Sequence, residues 1–358
     1  MNNEITIIIP TYERKTYINR ALEYWSIYPV NVIVVDGSAN PSVEKNLIDS
    51  FENVEYFHMP ISPEKRIYFA TNKLNTPYAL IISDDEFIAY SALSAAKGIL
   101  LSDPEVVAVL GETVAFHVHA NKMVGRRLYQ SAHQLDISAK LPKSRLLQRF
   151  DFKDNSIFFP LVRSDLLRLA GEYLTDNQYS CPYIAESQME AILCAAGSVK
   201  VIPQLMWFRS LEVNRITTPE HDRSISFYSW VKDPKNAEHV ERLISSSDKY
   251  LSSASPTSSP ITGLEFIEIF AEQERLALAQ NQENKWISMQ RNFYSKLPIN
   301  IRKFIRVAFY YLFGKTPEGS VPIALLLNKL SNLNIEFDRN EVTRIEKLVC
   351  RSIALNCK

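Results

Sequence analysis

The chain has 358 residues, 46% of them hydrophobic and 22% charged, with 40 basic and 40 acidic residues and a formal net charge of zero. That composition suits one large or two modest globular domains with a sizeable core, and the charge balance argues against a general nucleic-acid binder. The four cysteines, Cys181, Cys194, Cys350 and Cys357, match no zinc or redox spacing and read as free thiols in a reducing compartment.

The N-terminus, MNNEITIIIP, enters a strand at once. It has no basic segment followed by a long apolar stretch, so no signal peptide is expected. No run reaches transmembrane length, and a cytoplasmic, bacterial-type protein is the expectation.

Ile5 to Ile9 reads as a first buried strand, ended by Pro10-Thr11-Tyr12-Glu13-Arg14. A helix from Tyr17 to Trp25 follows, with Thr16 placed to cap it and Ile18, Leu22 and Trp25 on one face. Val32 to Val35 is a second strand, ending at Asp36-Gly37-Ser38. Two strands joined by a helix form a βαβ unit. Then come a helix over Ser42–Ser50, a strand over Val54–His58 and a helix over Glu64–Leu74 carrying Arg66 and Asn72.

Next is the stretch that organises the chain, TPYALIISDDEF at 76–87. Tyr78 to Ile82 is an unbroken apolar run, the mark of a strand buried on both faces. It runs into Asp84, Asp85 and Glu86, where an open parallel sheet would bind its ligand. Clustered carboxylates repel one another, and hard oxygen ligands suit Mg²⁺ or Mn²⁺.

A helix over Ser91–Leu101 and a strand over Val106–Leu110 continue the alternation. Residues 116–150 have weak periodicity and read as an extended, partly ordered segment, with His117, His119 and His133. His117 and His119 alternate like strand neighbours, but without a clear third ligand a structural role outweighs metal chelation. Ile157–Val162 reads as a strand, Arg163–Ala170 as a helix stopped by Gly171, Tyr183–Ala196 as a helix, and Val199–Ile202 and Leu205–Phe208 as strands. The serine-rich stretch from Ile244 to Pro260 reads as a linker. Thr262–Asn292 has a helical pattern with capping-box spacing at Thr262 and Glu265. Ile299–Phe313 mixes Arg302, Lys303 and Arg306 with bulky apolar and aromatic residues, among them Ile299, Ile301, Phe304, Ile305, Phe309, Tyr310, Tyr311 and Phe313. It reads either as a packed core helix or as an interfacial one. Two further helices end the chain.

These residues resemble the GT-A glycosyltransferases, above all the family 2-like bacterial enzymes. The resemblance runs through IIIPTYERKTYINRAL, VIVVDGS and KRIYFATNKLNTPYALIISDDEF, and covers roughly residues 4 to 210. A narrower likeness is to a bacterial subgroup with a TPYxxxxxDDDF strand, extending through SALSAAKGILLSDPEVVAVLGE. It implies an α/β, Rossmann-like GT-A fold: a mixed, mainly parallel sheet flanked by helices. The expected division is a catalytic domain at 1–215, an irregular serine-rich linker at 216–260 and a C-terminal helical region at 261–358.

Carried over position by position, the resemblance implies that Tyr12 stacks on a nucleotide base. Pro10 and Thr11 shape that pocket, and Glu13 belongs to the same turn. Asp36 would accept from the base imide, although D-G is also an ordinary turn. Arg66 would meet the base or diphosphate, and Asp84 would face the ribose or diphosphate. Asp85 and Glu86 would lie nearest the metal, with the family's final Asp replaced by Glu86. Glu186, in the first turn of a helix, would be the general base, with Asp176 and Glu190 as competitors. Arg209 would neutralise the leaving diphosphate.

The implied activity is metal-dependent transfer from a nucleotide-sugar donor to a hydroxyl of a saccharide or lipid-linked saccharide, in bacterial surface polysaccharide synthesis, with inversion expected. Peripheral membrane contact through 299–313 and homo-oligomerisation stay open. The competing readings are a non-catalytic, transferase-like scaffold and a nucleotidyltransferase. The second is disfavoured because Pro10–Thr16 contains no glycine.

Overall fold

The structure is a computed structural model. It describes residues 3–130, 135–150, 157, 159–176, 179–181, 183–212, 225–255, 257, 259–283 and 319–356.

A mixed sheet organises the chain. Its first half is parallel: β1 (Ile5–Thr11) pairs on one side with β2 (Asn31–Asp36), which pairs with β3 (Val54–His58), and on the other side with β4 (Tyr78–Ile81). Side chains alternate across these strands, and both faces are covered. Ile5, Ile7, Ile9, Val32, Val34 and Leu80 enter one core, whereas Ile8, Ile33, Val35, Ala79 and Ile81 enter the other. This explains the unbroken apolar runs, since neither face meets water.

Helix α1 (Lys15–Trp25) covers the first face with Ile18, Leu22 and Trp25. After the short α2 (Lys45–Ile48), α3 (Pro63–Asn72) contributes Ala70 to the second face. Helix α4 (Tyr90–Ser102) returns to the first, just after the two-residue β5 (Phe87–Ile88). The chain moves from β1 outward to β2 and β3, then comes back to place β4 on the other side of β1. That reversal is a topological switch point, and the crevice beyond the carboxyl ends of β1 and β4 is where such sheets take ligands.

The second half of the sheet departs from the sequence reading. Strand β6 (Val106–His119) is far longer than Val106–Leu110. It turns at Ala120 and Asn121 into antiparallel β7 (Lys122–Leu128), so much of the segment expected to be irregular is a hairpin. Both turn residues have positive φ, 48° and 59°, as a two-residue hairpin of primed type requires. No glycine marks the turn. Helix α5 (Pro142–Gln148) follows.

Strand β8 (Leu161–Arg163) bridges β4 and β6 in antiparallel fashion. Helix α6 (Ser164–Asp176) runs through Gly171 rather than stopping there. A Cβ at Gly171 would lie 2.3 Å from Thr71 Oγ1, so the glycine lets α6 press against α3. Helix α7 spans Tyr183–Ala196, as expected.

The two strands expected near 200 are one, β9 (Ser198–Ser210). It runs parallel to β6 with irregularities around Gly111 and pairs its far end with β5. A short β10 (Val321–Pro322) edges β7.

The serine-rich stretch is not an irregular linker over its first part. After α8 (Phe227–Lys232), α9 covers Ala237–Ala254. Ser246 and Ser247 are buried there and return their hydroxyls to Leu243 O. Helix α10 (Gly263–Glu283) starts with the expected capping box: Glu265 N donates to Thr262 Oγ1, and Thr262 N donates to Glu265 Oε2. Helices α8, α9 and α10 pack on the second face, whereas α11 (Ile323–Asn332) and α12 (Arg339–Asn356) pack on the first, α12 beside α1. The segment 299–313, with His133 and Cys357, lies outside the described residues. Cys181, Cys194 and Cys350 carry free thiols. Among the described residues no helix is long and apolar enough to cross a membrane.

Candidate active site at the switch point

The ends of β1, β2 and β4 are tied to one another directly. Thr11 pairs with Asp36 across the β1–β2 ladder, and its hydroxyl donates to Asp84 Oδ2 at 2.6 Å. Arg66, on α3, donates from Nη1 to Thr11 O at 2.7 Å and to Val35 O at 3.1 Å, joining the ends of β1 and β2. Its guanidinium lies over Gly37, where a Cβ would come within 2.4 Å of Cζ. Burial lowers the Arg66 pKa, against the pull of Asp36 and Glu64.

Pro10 and Thr11 thus close the strand, and Tyr12 stands at the rim with 42% of its surface exposed. Glu13 has φ +54°, a strained setting for a residue with a side chain. Its N–H donates to Ser38 Oγ, and its carboxylate accepts from Ala39 N, so this turn and the Asp36 turn hold each other.

Asp36 is fully buried and spends its carboxylate internally. Oδ1 accepts from the N–H and hydroxyl of Ser38, and Oδ2 from Ser42 N and the Tyr56 hydroxyl. Burial pushes its pKa up, but these hydrogen bonds outweigh it and hold the carboxyl below its ordinary value. With four donors on two oxygens, Asp36 shapes the turn and offers no open acceptor to a base.

The three acids after β4 are 3%, 9% and 8% exposed, in the order Asp84, Asp85, Glu86. Their carboxylates go different ways. Arg14, the residue before α1, places Nη1 2.8 Å from Asp84 Oδ1 and 3.3 Å from Asp85 Oδ2. Burial raises the Asp84 pKa to about 6, with Arg14 and Thr11 opposing the rise. Burial acts against the charge of Arg14 too, yet Asp84 and Asp85 keep its pKa above the ordinary value. The backbone carbonyl of Asp85 accepts from Arg20 Nη2 at 2.9 Å, and Arg20 Nη1 pairs with buried Glu212 at 2.8 Å. Glu86 turns away and accepts from Trp207 Nε1 at 2.8 Å. Burial, with the nearby Asp85 charge, pushes its pKa up to about 8.

The antiparallel pairing of β5 with the end of β9 brings Trp207 and Arg209 to this second wall. Arg209 lies 5.5 Å from the Trp207 ring centre and donates to the Tyr129 hydroxyl, while the Tyr129 and Trp207 rings stack at 6.2 Å. Burial raises the Tyr129 pKa; Arg209 opposes the rise, and Glu86 and Glu186 add to it. Glu186, in the exposed first turn of α7, is therefore within electrostatic reach of this wall. Glu190 is buried in a two-pronged pair with Arg149. The side chain of Asp176 lies outside the described residues.

The site residues named from sequence thus fall on two connected walls. Arg14, Arg20, Tyr129, Trp207 and Glu212 were not among them. The only sequence signal for these was an arginine beside the Pro10–Glu13 turn and an aromatic residue before Arg209.

The donor set can be tested against a divalent ion. Such ions take one or two carboxylates and leave other positions to phosphate oxygens and water. Asp84 and Asp85 fit, being two hard-oxygen donors already bridged by one cationic nitrogen. Glu86 does not join them in this arrangement, because its carboxyl is engaged with Trp207. Among the described residues no three His, Cys, Asp or Glu side chains form a metal-holding group, and His117 and His119 belong to none.

No protein-family model matches the sequence, and no curated protein does. Solved structures match at low identity. S. aureus TarS 1-349 matches at 13% identity with a TM-score of 0.48, over 84% of this chain and 78% of that one. S. aureus TarS matches at 16% and 0.41, over 70% and 44%. The 4-diphosphocytidyl-2C-methyl-D-erythritol synthase of Anaerococcus prevotii matches at 14% and 0.38, over 60% and 91%. At these values the likeness carries nothing about chemistry, which rests on the chain's own residues.

Proposed function

We propose that this chain is a GT-A glycosyltransferase that binds a nucleotide-sugar at the switch point and transfers the sugar to a saccharide hydroxyl in bacterial surface polysaccharide synthesis. The ties of Thr11 to Asp84, of Arg66 to the Thr11 carbonyl and of Arg14 to Asp84 and Asp85, with the exposed Tyr12 next to Thr11, carry this reading. Tyr12 offers the exposed ring on which a base stacks. Arg66 and Asp36 hold the strand ends that frame it. Asp84 and Asp85 would hold Mg²⁺ or Mn²⁺, which would supply Lewis-acid stabilisation of the departing nucleoside diphosphate.

The acceptor lies toward the second wall. Glu186 takes the proton from the acceptor hydroxyl as its oxygen bonds to the anomeric carbon. The bond from that carbon to the diphosphate breaks, and the electron pair leaves with the phosphate oxygen. Arg209 faces the charge that develops there. A single displacement inverts the anomeric centre. The proposed place of action is the cytoplasm, at the inner face of the membrane if the acceptor is lipid-linked.

The test is calorimetric titration with nucleoside diphosphates, with and without Mn²⁺. Saturable, metal-dependent binding that Asp85→Ala abolishes is expected. Equal binding by wild type and Asp85→Ala would remove the site. A scaffold reading draws on the Glu86 side chain being engaged with Trp207, and slow donor hydrolysis without acceptor separates the two, since a dead domain shows none.

A further inference from the structure

We infer that Arg14 is the resident counter-ion of the Asp84–Asp85 pair, and that it yields this seat to a divalent cation when a nucleoside diphosphate binds. The inference rests on the donor-site reading above and adds to it a residue that reading did not use.

One nitrogen of Arg14 touches an oxygen of each acid, which is where a cation bridging the two must stand. The other nearby arginines are already committed: Arg20 to Glu212, Ser352 and the Asp85 carbonyl, and Arg66 to the Thr11 and Val35 carbonyls. The Arg14 side chain contacts the two carboxylates and the Tyr17 ring. Its side chain keeps 16% of its surface exposed against 2% for Asp84 and 12% for Asp85, so Arg14 and Asp85 are open to an ion arriving from solvent while Asp84 is covered.

Two cations cannot share the seat without strong repulsion in a half-buried site. The charges balance only if they are exchanged. A divalent ion neutralises the two carboxylates, and the displaced guanidinium then needs an anion. The diphosphate is the anion that arrives with it, and a planar guanidinium suits its paired oxygens. Arg14 lies on the turn between β1 and α1 with its side chain partly exposed, and can make this move by side-chain rotation. In the free protein, Arg14 therefore weakens cation binding, and with diphosphate present it strengthens the complex. Cation and nucleotide become coupled ligands, each raising the affinity of the other.

The test measures Mn²⁺ binding by electron paramagnetic resonance, with and without each common nucleoside diphosphate, on wild type, Arg14→Gln and Arg14→Lys. Thermal unfolding checks that each variant is folded. Arg14→Gln should bind Mn²⁺ in the absence of nucleotide more tightly than wild type, by about tenfold or more, within the roughly 5- to 150-fold range of ordinary coupling. It should also lose most of the gain in Mn²⁺ affinity that nucleoside diphosphate gives wild type. Arg14→Lys, with a charge but no fork, should fall between them. If wild type shows nucleotide-coupled Mn²⁺ binding and Arg14→Gln binds free Mn²⁺ no more tightly, the inference is overturned while the donor site stands. If wild type binds neither ion nor nucleotide, both fall. Should Arg14→Gln not fold, Arg14→Lys decides: Mn²⁺ affinity and coupling equal to wild type would overturn the inference.

Discussion

Glu86→Gln isolates a buried charge whose cost can be worked out. The carboxyl sits against Trp207 with its pKa raised from 4.5 to about 8, burial being the main cause and the Asp85 charge the next. A carboxyl whose folded pKa lies above its unfolded value binds its proton more tightly in the native state. Its contribution to stability is complete below about 4.5 and is lost as pH rises through about 8. At about 1.4 kcal/mol per tenfold change in proton affinity, that gap corresponds to a loss on the order of 5 kcal/mol. Glutamine keeps an oxygen for the Trp207 N–H and cannot ionise. Unfolding free energies from urea titrations in EDTA, taken from pH 5 to 9, should fall steeply for wild type. Glu86→Gln should match wild type near pH 5 and become the more stable protein by several kcal/mol near pH 9. Asp84, raised to about 6, adds a fall below pH 7 common to both proteins. Parallel curves across the whole range would show that Glu86 is ionised in the native state and that its burial is compensated.

Other consequences are simpler to read. Glu186→Gln should lower kcat by about 10²- to 10⁴-fold, as loss of a general base does, while donor affinity measured by calorimetry stays within about twofold. Tyr12→Ala should weaken nucleotide binding by about 1–3 kcal/mol, the worth of a base stacked on an aromatic ring, with little effect on thermal stability because the ring is exposed. Gly171→Ala should destabilise by about 1–3 kcal/mol through the clash with Thr71, and adding Thr71→Ala should recover a large part of it in a double-mutant cycle.

Strands β1, β2 and β4 were legible because burial on both faces forces unbroken apolar runs, and few other structures use them. The box at Thr262 and Glu265 was legible because its hydrogen bonds are local. Where tertiary contact decided, the sequence misled. Gly171 looks like a helix end, but its missing side chain serves packing between α3 and α6. The serines of α9 look like a linker, yet two of them face a core, and Tyr173 meets the hydroxyl of Ser247. The hairpin at 120–121 bends through Ala120 and Asn121, with no glycine to announce it. At the site, strand-end residues could be named from runs and punctuation alone. Trp207 reaches Glu86 across more than a hundred residues, and no local pattern records that pairing.

The same separation shows why the acidic loop cannot be understood as a self-contained motif. Each of its members answers to a different element. Asp84 is held from β1 and the start of α1. The Asp85 carbonyl is held by Arg20, which also reaches Ser352 on the last helix, α12. Glu86 is held from β9. Glu341, at the start of α12, accepts from the Tyr24 hydroxyl, and from Tyr90 N and the Ser91 hydroxyl as α4 begins. The first and last helices therefore set the acidic loop between them. Three carboxylates buried side by side would repel in the absence of such anchors. Here Thr11 and Arg14 hold Asp84, Arg14 also reaches Asp85, and Glu86, its pKa raised to about 8, stays protonated at neutral pH against Trp207. On the function proposed above, a loop held this way has its acids in place before a divalent cation and a diphosphate arrive, as stabilising a leaving diphosphate requires.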